Sequence, residues 1–150
     1  MDQHTVAGEL AGAMQARCLG MRVARLHRVV SRTYEQALQP LGLSLPQAEI
    51  LAELMGAAGP VKPAELAGRL MIERSTLSRN LALMQAKGWI SAAETSPTGR
   101  TMSVAIAGPG VALLAWARNT WQQTQAKMEA TLGPATPSTL DRWLDQLAHR

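Results

Sequence analysis

The 150-residue chain has no Phe, a single Tyr and four Trp, so aromatic side chains, 3% of the total, cannot build its core. That core must come from Leu, Ala, Val, Ile and Met, an aliphatic and Ala-rich set that favours helix over sheet. One cysteine, Cys18, excludes an internal disulfide and suits a reducing compartment. No apolar run approaches the roughly 18 residues of a membrane span, and no basic stretch followed by an apolar core opens the chain. A soluble, cytoplasmic protein is expected. His4, His27 and His149 are scattered and form no closed Cys/His cluster, so no metal is expected. There is no phosphate loop, zinc-protease helix or nucleophile elbow. Gly108-Pro109-Gly110 lacks the further glycine and downstream acid of a dinucleotide fingerprint and reads as a helix start. The chain is therefore expected to be no enzyme and to carry no cofactor. Lysine is scarce as well, since 12 of the 15 basic residues are Arg, a bias that suits bidentate phosphate or base contacts.

What is present fits one folded domain over residues 1–150. Apolar residues make up 47% of the chain, which argues against global disorder, and the length allows a real core. A formal charge of +4 and a pI of about 10.0 permit an anionic partner. The stretch 73–90, ERSTLSRNLALMQAKGWI, organises the reading. Glu73 or Ser75 can cap its start, and Leu77, Leu81 and Met84 recur as one buried stripe. The opposite face carries Ser75, Thr76, Arg79, Ala82 and Ala86, with Ser78 on its flank. That face is polar at its N-terminal end and small beyond it, as a helix inserted in a major groove about 12 Å wide requires. Gly88 supplies a left-handed cap.

Around this stretch the chain reads mostly as helix. Residues 1–12 form a loose arm or an early helical extension. A long helix is expected from about Ala13 to Leu38, with Leu19, Val23, Leu26, Val30, Tyr34, Ala37 and Leu41 on one stripe. Arg17, Arg25, Arg28 and Arg32 lie opposite, with Arg22 beside them, either as a solvated face or as a surface for phosphate or acidic groups. Ser44-Leu45-Pro46-Gln47 is a capping box that starts a helix ending at Gly56, and Pro63 opens another that runs to Leu70. Three residues then lead into the organising stretch, the spacing of a helix-turn-helix. Trp89–Ala93 and Thr101–Ile106 alternate as one-sided strands around the turn residues Ser96-Pro97-Thr98-Gly99, which makes a hairpin wing with Arg100 at its tip. Arg100 suits a minor groove. Beyond Gly110 a helix with Val111, Leu114, Trp121, Gln125 and Met128 on its stripe runs to about Leu132. Thr136 and Pro137 start a last one with Leu140, Trp143, Leu144 and Leu147 facing inward. The fold class expected is mainly α with a small β-hairpin wing. Residues 44–107 form the winged helix-turn-helix, and 13–43 and 108–150 supply long helices whose surplus apolar surface pairs with a second copy.

This order of elements resembles the MarR family, the multiple-antibiotic-resistance regulators. The resemblance covers roughly Cys18 to Leu147. It rests on Leu41-Gly42-Leu43-Ser44 with Gln47, Pro63-Ala64-Glu65-Leu66-Ala67, Ser75-Thr76-Leu77-Ser78-Arg79, Leu83 to Ile90 ending in Lys87-Gly88-Trp89-Ile90, Arg100 and Gly110. Two features depart from the family pattern: Ser96 and Thr98 stand where its wing usually carries Asp, and Ala107-Gly108-Pro109-Gly110 replaces Thr-Glu-Ala-Gly. The resemblance implies a homodimeric, sequence-specific transcription regulator, commonly a ligand-responsive repressor, on a pseudo-palindromic operator of double-stranded DNA. Candidate DNA contacts are Ser75, Thr76, Ser78 and Arg79 at base edges, Lys62, Arg69 and Arg74 on phosphates, and Arg100 in the minor groove.

The resemblance also implies a cleft for a small anionic or aromatic effector between the dimer helices and the winged segment. His27, Tyr34, Met55 and Trp116 are candidate liners there, with Arg25 nearby. Cys18 is a redox candidate, although alignment on Arg28 and Tyr34 puts Gly20 where the hydroperoxide-sensing branch keeps its cysteine. Two other readings stand beside this one, a winged-helix protein-interaction module that never touches DNA and a cysteine-based redox regulator. The exposed Ser, Thr, Arg and Ala of the organising helix favour DNA over a protein partner, which would want apolar or aromatic anchors there.

Overall fold

The protein, described by a computed structural model over residues 1–94 and 102–148, is built around the helix that Ser44 starts. The Ser44 hydroxyl accepts from the Gln47 amide at 3.3 Å, and the Gln47 carboxamide oxygen accepts from the Ser44 amide at 3.1 Å. This reciprocal cap satisfies two amides that a helix start leaves without partners. It opens α3 (Leu45–Gly56), whose Ile50, Leu51 and Leu54 are buried at the centre of the core. A second stabiliser comes from Glu35, whose carboxylate accepts from the Leu45 amide at 3.0 Å and ties the start of α3 to the preceding helix.

Two short helices follow. Helix α4 (Pro63–Leu70) buries Leu66 and Ala67, and α5 (Arg74–Ala86) buries Leu77, Leu81 and Met84. Between them Met71 takes the left-handed conformation at φ 53, and the amides of Met71 and Ile72 bond back to Gly68 and Ala67. A cap of this kind normally uses glycine, because a side chain in the left-handed region costs about 1 kcal/mol. Gly88, at φ 72, closes α5 in the expected way, with the Trp89 amide bonded to the Met84 carbonyl. Neither expected cap of α5 operates. Glu73 holds the N-cap position without a side-chain hydrogen bond, and Ser75 lies inside the helix as its second residue.

Strands β1 (Ile90–Glu94) and β2 (Met102–Ile106) pair antiparallel, with Ile90 opposite Ile106 and Ala92 opposite Val104. The expected turn at 96–99 and Arg100 lie outside the described residues. One element has no local signature in the sequence: Val61, in the connection before α4, forms a bridge to Val104 through two 2.8 Å hydrogen bonds and adds a third edge to the hairpin. Both valines are buried, so the wing is fixed at its base to the helix-turn-helix. The one-sided alternation expected for β2 also fails at Ser103, which is buried beside Val104.

The flanking helices differ more from expectation. The long helix expected from Ala13 is two helices, α1 (Gln3–Arg17), capped by Asp2, and α2 (Leu19–Leu38), separated by the single extended residue Cys18 at φ −67 and ψ 114. After the wing, α6 (Gly108–Leu132) packs on α2 and α3, and α7 (Thr136–Ala148) completes the described chain. The buried face of α6 is Gly110, Leu113, Ala117 and Thr124, turned away from the expected stripe, which leaves Val111 and Trp121 exposed. The expected inward face of α7, Leu140, Trp143, Leu144 and Leu147, is exposed in the single chain, as are Leu19, Val23 and Leu26 of α2.

The junction between wing and α6 is a backbone contact. The Trp89 carbonyl accepts from the Ala107 amide at 2.9 Å, and a Cβ on Gly110 would lie 2.2 Å from that same carbonyl oxygen. Only glycine lets α6 start this close to the hairpin. Gly110→Ala is expected to lose about 1–3 kcal/mol through overpacking, read as a fall in melting temperature of roughly 3–10 °C. An unchanged melting temperature would contradict the contact.

Candidate nucleic-acid interface

Burial of Leu77, Leu81 and Met84 turns the other side of α5 outward. Ser75, Ser78, Arg79, Ala82 and Ala86 are exposed and Thr76 is half-buried. The Arg79 guanidinium reaches back toward the Thr76 hydroxyl at 3.5 Å, and the Asn80 amide donates to the Thr76 carbonyl at 3.1 Å. Ser75, Thr76 and Arg79 thus share the outward surface of the first two turns. That surface is free of large apolar groups until Leu83.

The flank of α5 faces the hairpin. Arg74 and Ser78 border a groove of about 530 Å³ together with Pro63, Gln85, Ala92 and Met102. Lys62 is exposed at the cap position of α4, where the helix dipole adds to its charge. Arg69 stands apart from these. Its guanidinium is bound to Glu65 and lies 3.9 Å from Glu53, so acidic groups of the same chain already hold it. At the end of α5 the Lys87 ammonium sits 4.3 Å over the Trp89 ring, which holds that cation at the start of the hairpin.

The effector candidates do not converge. Met55 and Trp116 are exposed and border neither the α3–α6 cavity nor the one between α2, α6 and α7 that holds Tyr34, and Arg25 is exposed on α2. His27 pairs with Ser31 at 3.3 Å. Tyr34 donates its hydroxyl to the Gln125 side chain, whose amide donates in turn to Glu129 at 2.8 Å. Burial, and then the charge of Glu129, raise the tyrosine pKa. Tyr34 belongs to a cavity of about 350 Å³ between α2, α6 and α7. The cleft between the winged segment and the flanking helices is a different one, of about 370 Å³, formed by α3 and α6 and lined by Leu43, Ala48, Glu49, Leu114, Arg118 and Trp121. Arg118 and Trp121 stand three residues apart on α6, a spacing visible in the sequence, but their place in one cavity lining with Glu49, about seventy residues away, needs the tertiary fold. Cys18 is half-buried at the break between α1 and α2. Its neighbour Arg22 donates to the Ala16 carbonyl. Among the described residues no group of three His, Cys, Asp or Glu is arranged to hold a metal ion, and no helix is long and apolar enough to cross a membrane.

Known proteins share this arrangement. The sequence profile of the MarR family matches residues 41–100. The M. tuberculosis transcriptional regulator MosR, solved in complex with DNA, is 29% identical, with 89% of this chain and 97% of that one covered at a TM-score of 0.76. A mutant MarR from E. coli complexed with operator DNA is 22% identical, with coverages of 89% and 96% and a TM-score of 0.76. The organohalide-sensing regulator RdhR in its 2,4-dichlorophenol-bound form is 21% identical, with coverages of 87% and 78% and a TM-score of 0.75. The last two show likeness of fold. No curated protein sequence matches the chain.

Glu49 gives the cleft a measurable property. Although Glu49 remains exposed to solvent on one side, partial desolvation in the cleft raises its carboxyl above the ordinary value, and the nearby His27 offsets part of that rise. A carboxyl with a raised folded pKa makes the folded state bind more protons than the unfolded one, so stability falls as pH rises from the ordinary carboxylate value through the raised one. Glu49→Gln should therefore raise the melting temperature at pH 7, with the gain disappearing as pH falls below the ordinary carboxylate range. A gain that persists at low pH would exclude this origin.

Proposed function

The chain is a winged helix-turn-helix protein of the MarR family, a family of transcription regulators, and from that premise we propose that it acts as a homodimeric, ligand-responsive repressor on a pseudo-palindromic operator. The observation that carries the DNA reading is the outward face of α5, where Ser75, Thr76 and Arg79 lead and no large apolar side chain precedes Leu83. Arg79 reads a base edge, since bidentate Arg to guanine is the commonest specific contact, and Ser75, Thr76 and Ser78 bond neighbouring edges or phosphates. Lys62 and Arg74 neutralise phosphates on either side, and Arg100 enters the minor groove. Arg69, held by Glu65 and Glu53, contributes less.

Dimerisation accounts for the exposed apolar faces of α2, α6 and α7. The chain exposes 10605 Å², whereas a compact chain of 16.1 kDa exposes about 7,400 Å². A surplus of this order suits an obligate homodimer. Two copies would then present their α5 helices about one DNA turn, roughly 34 Å, apart. Residues 44–107 serve as the reading segment, and the flanking helices at 13–43 and 108–150 serve as the scaffold. Effector control acts through the α3–α6 cleft, because an occupant there changes the angle between scaffold and reading segment, and two spacings cannot both fit one operator. Such a regulator works in the cytoplasm.

The test is a gel shift against DNA immediately upstream of the chain's own gene. Arg79→Ala should weaken specific binding by about 1–3 kcal/mol per half-site, roughly fivefold to 150-fold for each, while Arg69→Ala stays near the parent. Full-strength specific binding by the Arg79→Ala protein would sink the assignment. With Lys62 and Arg74 of each copy on phosphates and Arg100 of each in the minor groove, about six cations per dimer displace counterions, and affinity should fall about a thousandfold between 50 and 200 mM salt.

A further inference from the structure

The α3–α6 cleft carries one charge of each sign on a lining that is otherwise almost wholly apolar. Glu49 stands on the α3 wall and Arg118 on the α6 wall, with Trp121 one turn further along α6. Leu38, Leu43 and Ala117, which line the same cavity, are buried. Its volume of about 370 Å³ is that of a site for a small molecule.

Neither charge has a counter-ion. Among the described residues, Glu49 and Arg118 make no hydrogen bond and no ion pair, with each other or with any other group. The sequence also denies each the usual partner on its own helix, since no basic residue lies within four positions of Glu49 and no acidic one within four of Arg118. His27, on α2, is the one titratable group that acts on Glu49, and it hydrogen-bonds Ser31 at 3.3 Å. Arg118 has no such effect, so the two opposite charges share one cavity without meeting.

This pattern selects among ligands. A carboxylate partly desolvated against apolar walls costs free energy that a cation beside it offsets, and the guanidinium on the other wall favours an anion in the same way. A ligand with only a negative charge leaves Glu49 unpaired, one with only a positive charge leaves Arg118 unpaired, and an uncharged one strips water from both with no return. The exposed indole of Trp121 adds a flat face for a ring.

We propose that the α3–α6 cleft takes a small zwitterion with an aromatic body, the class of the aromatic amino acids, with its ammonium on Glu49, its carboxylate on Arg118 and its ring against Trp121. This rests on the effector cleft proposed above and adds the chemistry that fills it. Because α3 belongs to the reading segment and α6 to the scaffold, an occupant bearing both charges ties one to the other, which a singly charged molecule does not.

The full-length chain is titrated calorimetrically with three probes that share one ring: L-tryptophan, tryptamine, which lacks the carboxylate, and indolepropionate, which lacks the ammonium. L-Tryptophan should bind, and loss of either charge should raise Kd about tenfold or more, the worth of one charge-assisted hydrogen bond. Glu49→Gln should weaken L-tryptophan to the same extent and leave indolepropionate no weaker, and Arg118→Gln should weaken L-tryptophan and leave tryptamine no weaker. Either singly charged probe bound as tightly as L-tryptophan, or no binding of L-tryptophan, overturns the inference and leaves effector control of the operator standing. A variant that weakens all three probes alike also overturns it, because the residue then serves only the shape of the cleft. L-Tryptophan that binds with the expected charge pattern and leaves the operator gel shift unchanged upholds this inference and overturns effector control through the cleft.

Discussion

Whatever the outer face of α5 does depends on three side chains on its inner face. Leu77, Leu81 and Met84 are all but fully removed from water, and each fully buried aliphatic side chain of this size contributes about 1.5–3 kcal/mol. Their burial fixes the rotation of the helix about its axis. A turn of one residue, about 100°, would bring Ser78 and Ala82 into the core and throw Leu77 outward. The polar groups of the first two turns are therefore aimed by apolar packing behind them. The caps add to this by fixing the helix along its axis: Met71 and Ile72 close the turn before it, and Gly88 ends it before the hairpin begins.

The parts of the fold that are legible in the sequence are those governed by local rules. The Ser44–Gln47 box, the Pro63 start, the Leu77–Leu81–Met84 stripe and Gly88 each act within a turn or two of chain, so residue spacing is enough to place them. The break at Cys18 carries only a weak signal, because no proline marks it, Gly20 falls inside α2, and Leu19, Val23 and Leu26 repeat as if the helix ran through. The buried face of α6 escapes periodicity for a related reason. This helix has apolar groups on more than one side, so the spacing of Val111, Leu114 and Trp121 describes an exposed surface as readily as a core. The pairing of Val61 with Val104 and the shared cavity lining of Glu49, Arg118 and Trp121 join residues far apart in the chain, which no local pattern encodes.

The two halves of the molecule also differ in how they are held. The segment from α3 to β2 has its own core, with Ile50, Leu51, Leu66, Leu77 and Met84 buried within one chain. The helices around it have apolar surface left over, and α7 buries no residue at all. In the homodimer proposed above, that surface is covered by association, and stability and oligomeric state become a single property.

The contact at Trp89 has a consequence for how such a protein can change over time. The position of α6 relative to the hairpin is set by a carbonyl oxygen, an amide and a missing Cβ at Gly110, with no side-chain specificity involved. Side chains lining the α3–α6 cleft, such as Ala48, Glu49, Leu114 and Arg118, can therefore drift without disturbing the junction between the hairpin and the start of α6. In the ligand-responsive regulator proposed above, the chemistry of the cleft is then free to diverge while the junction between hairpin and α6 is retained.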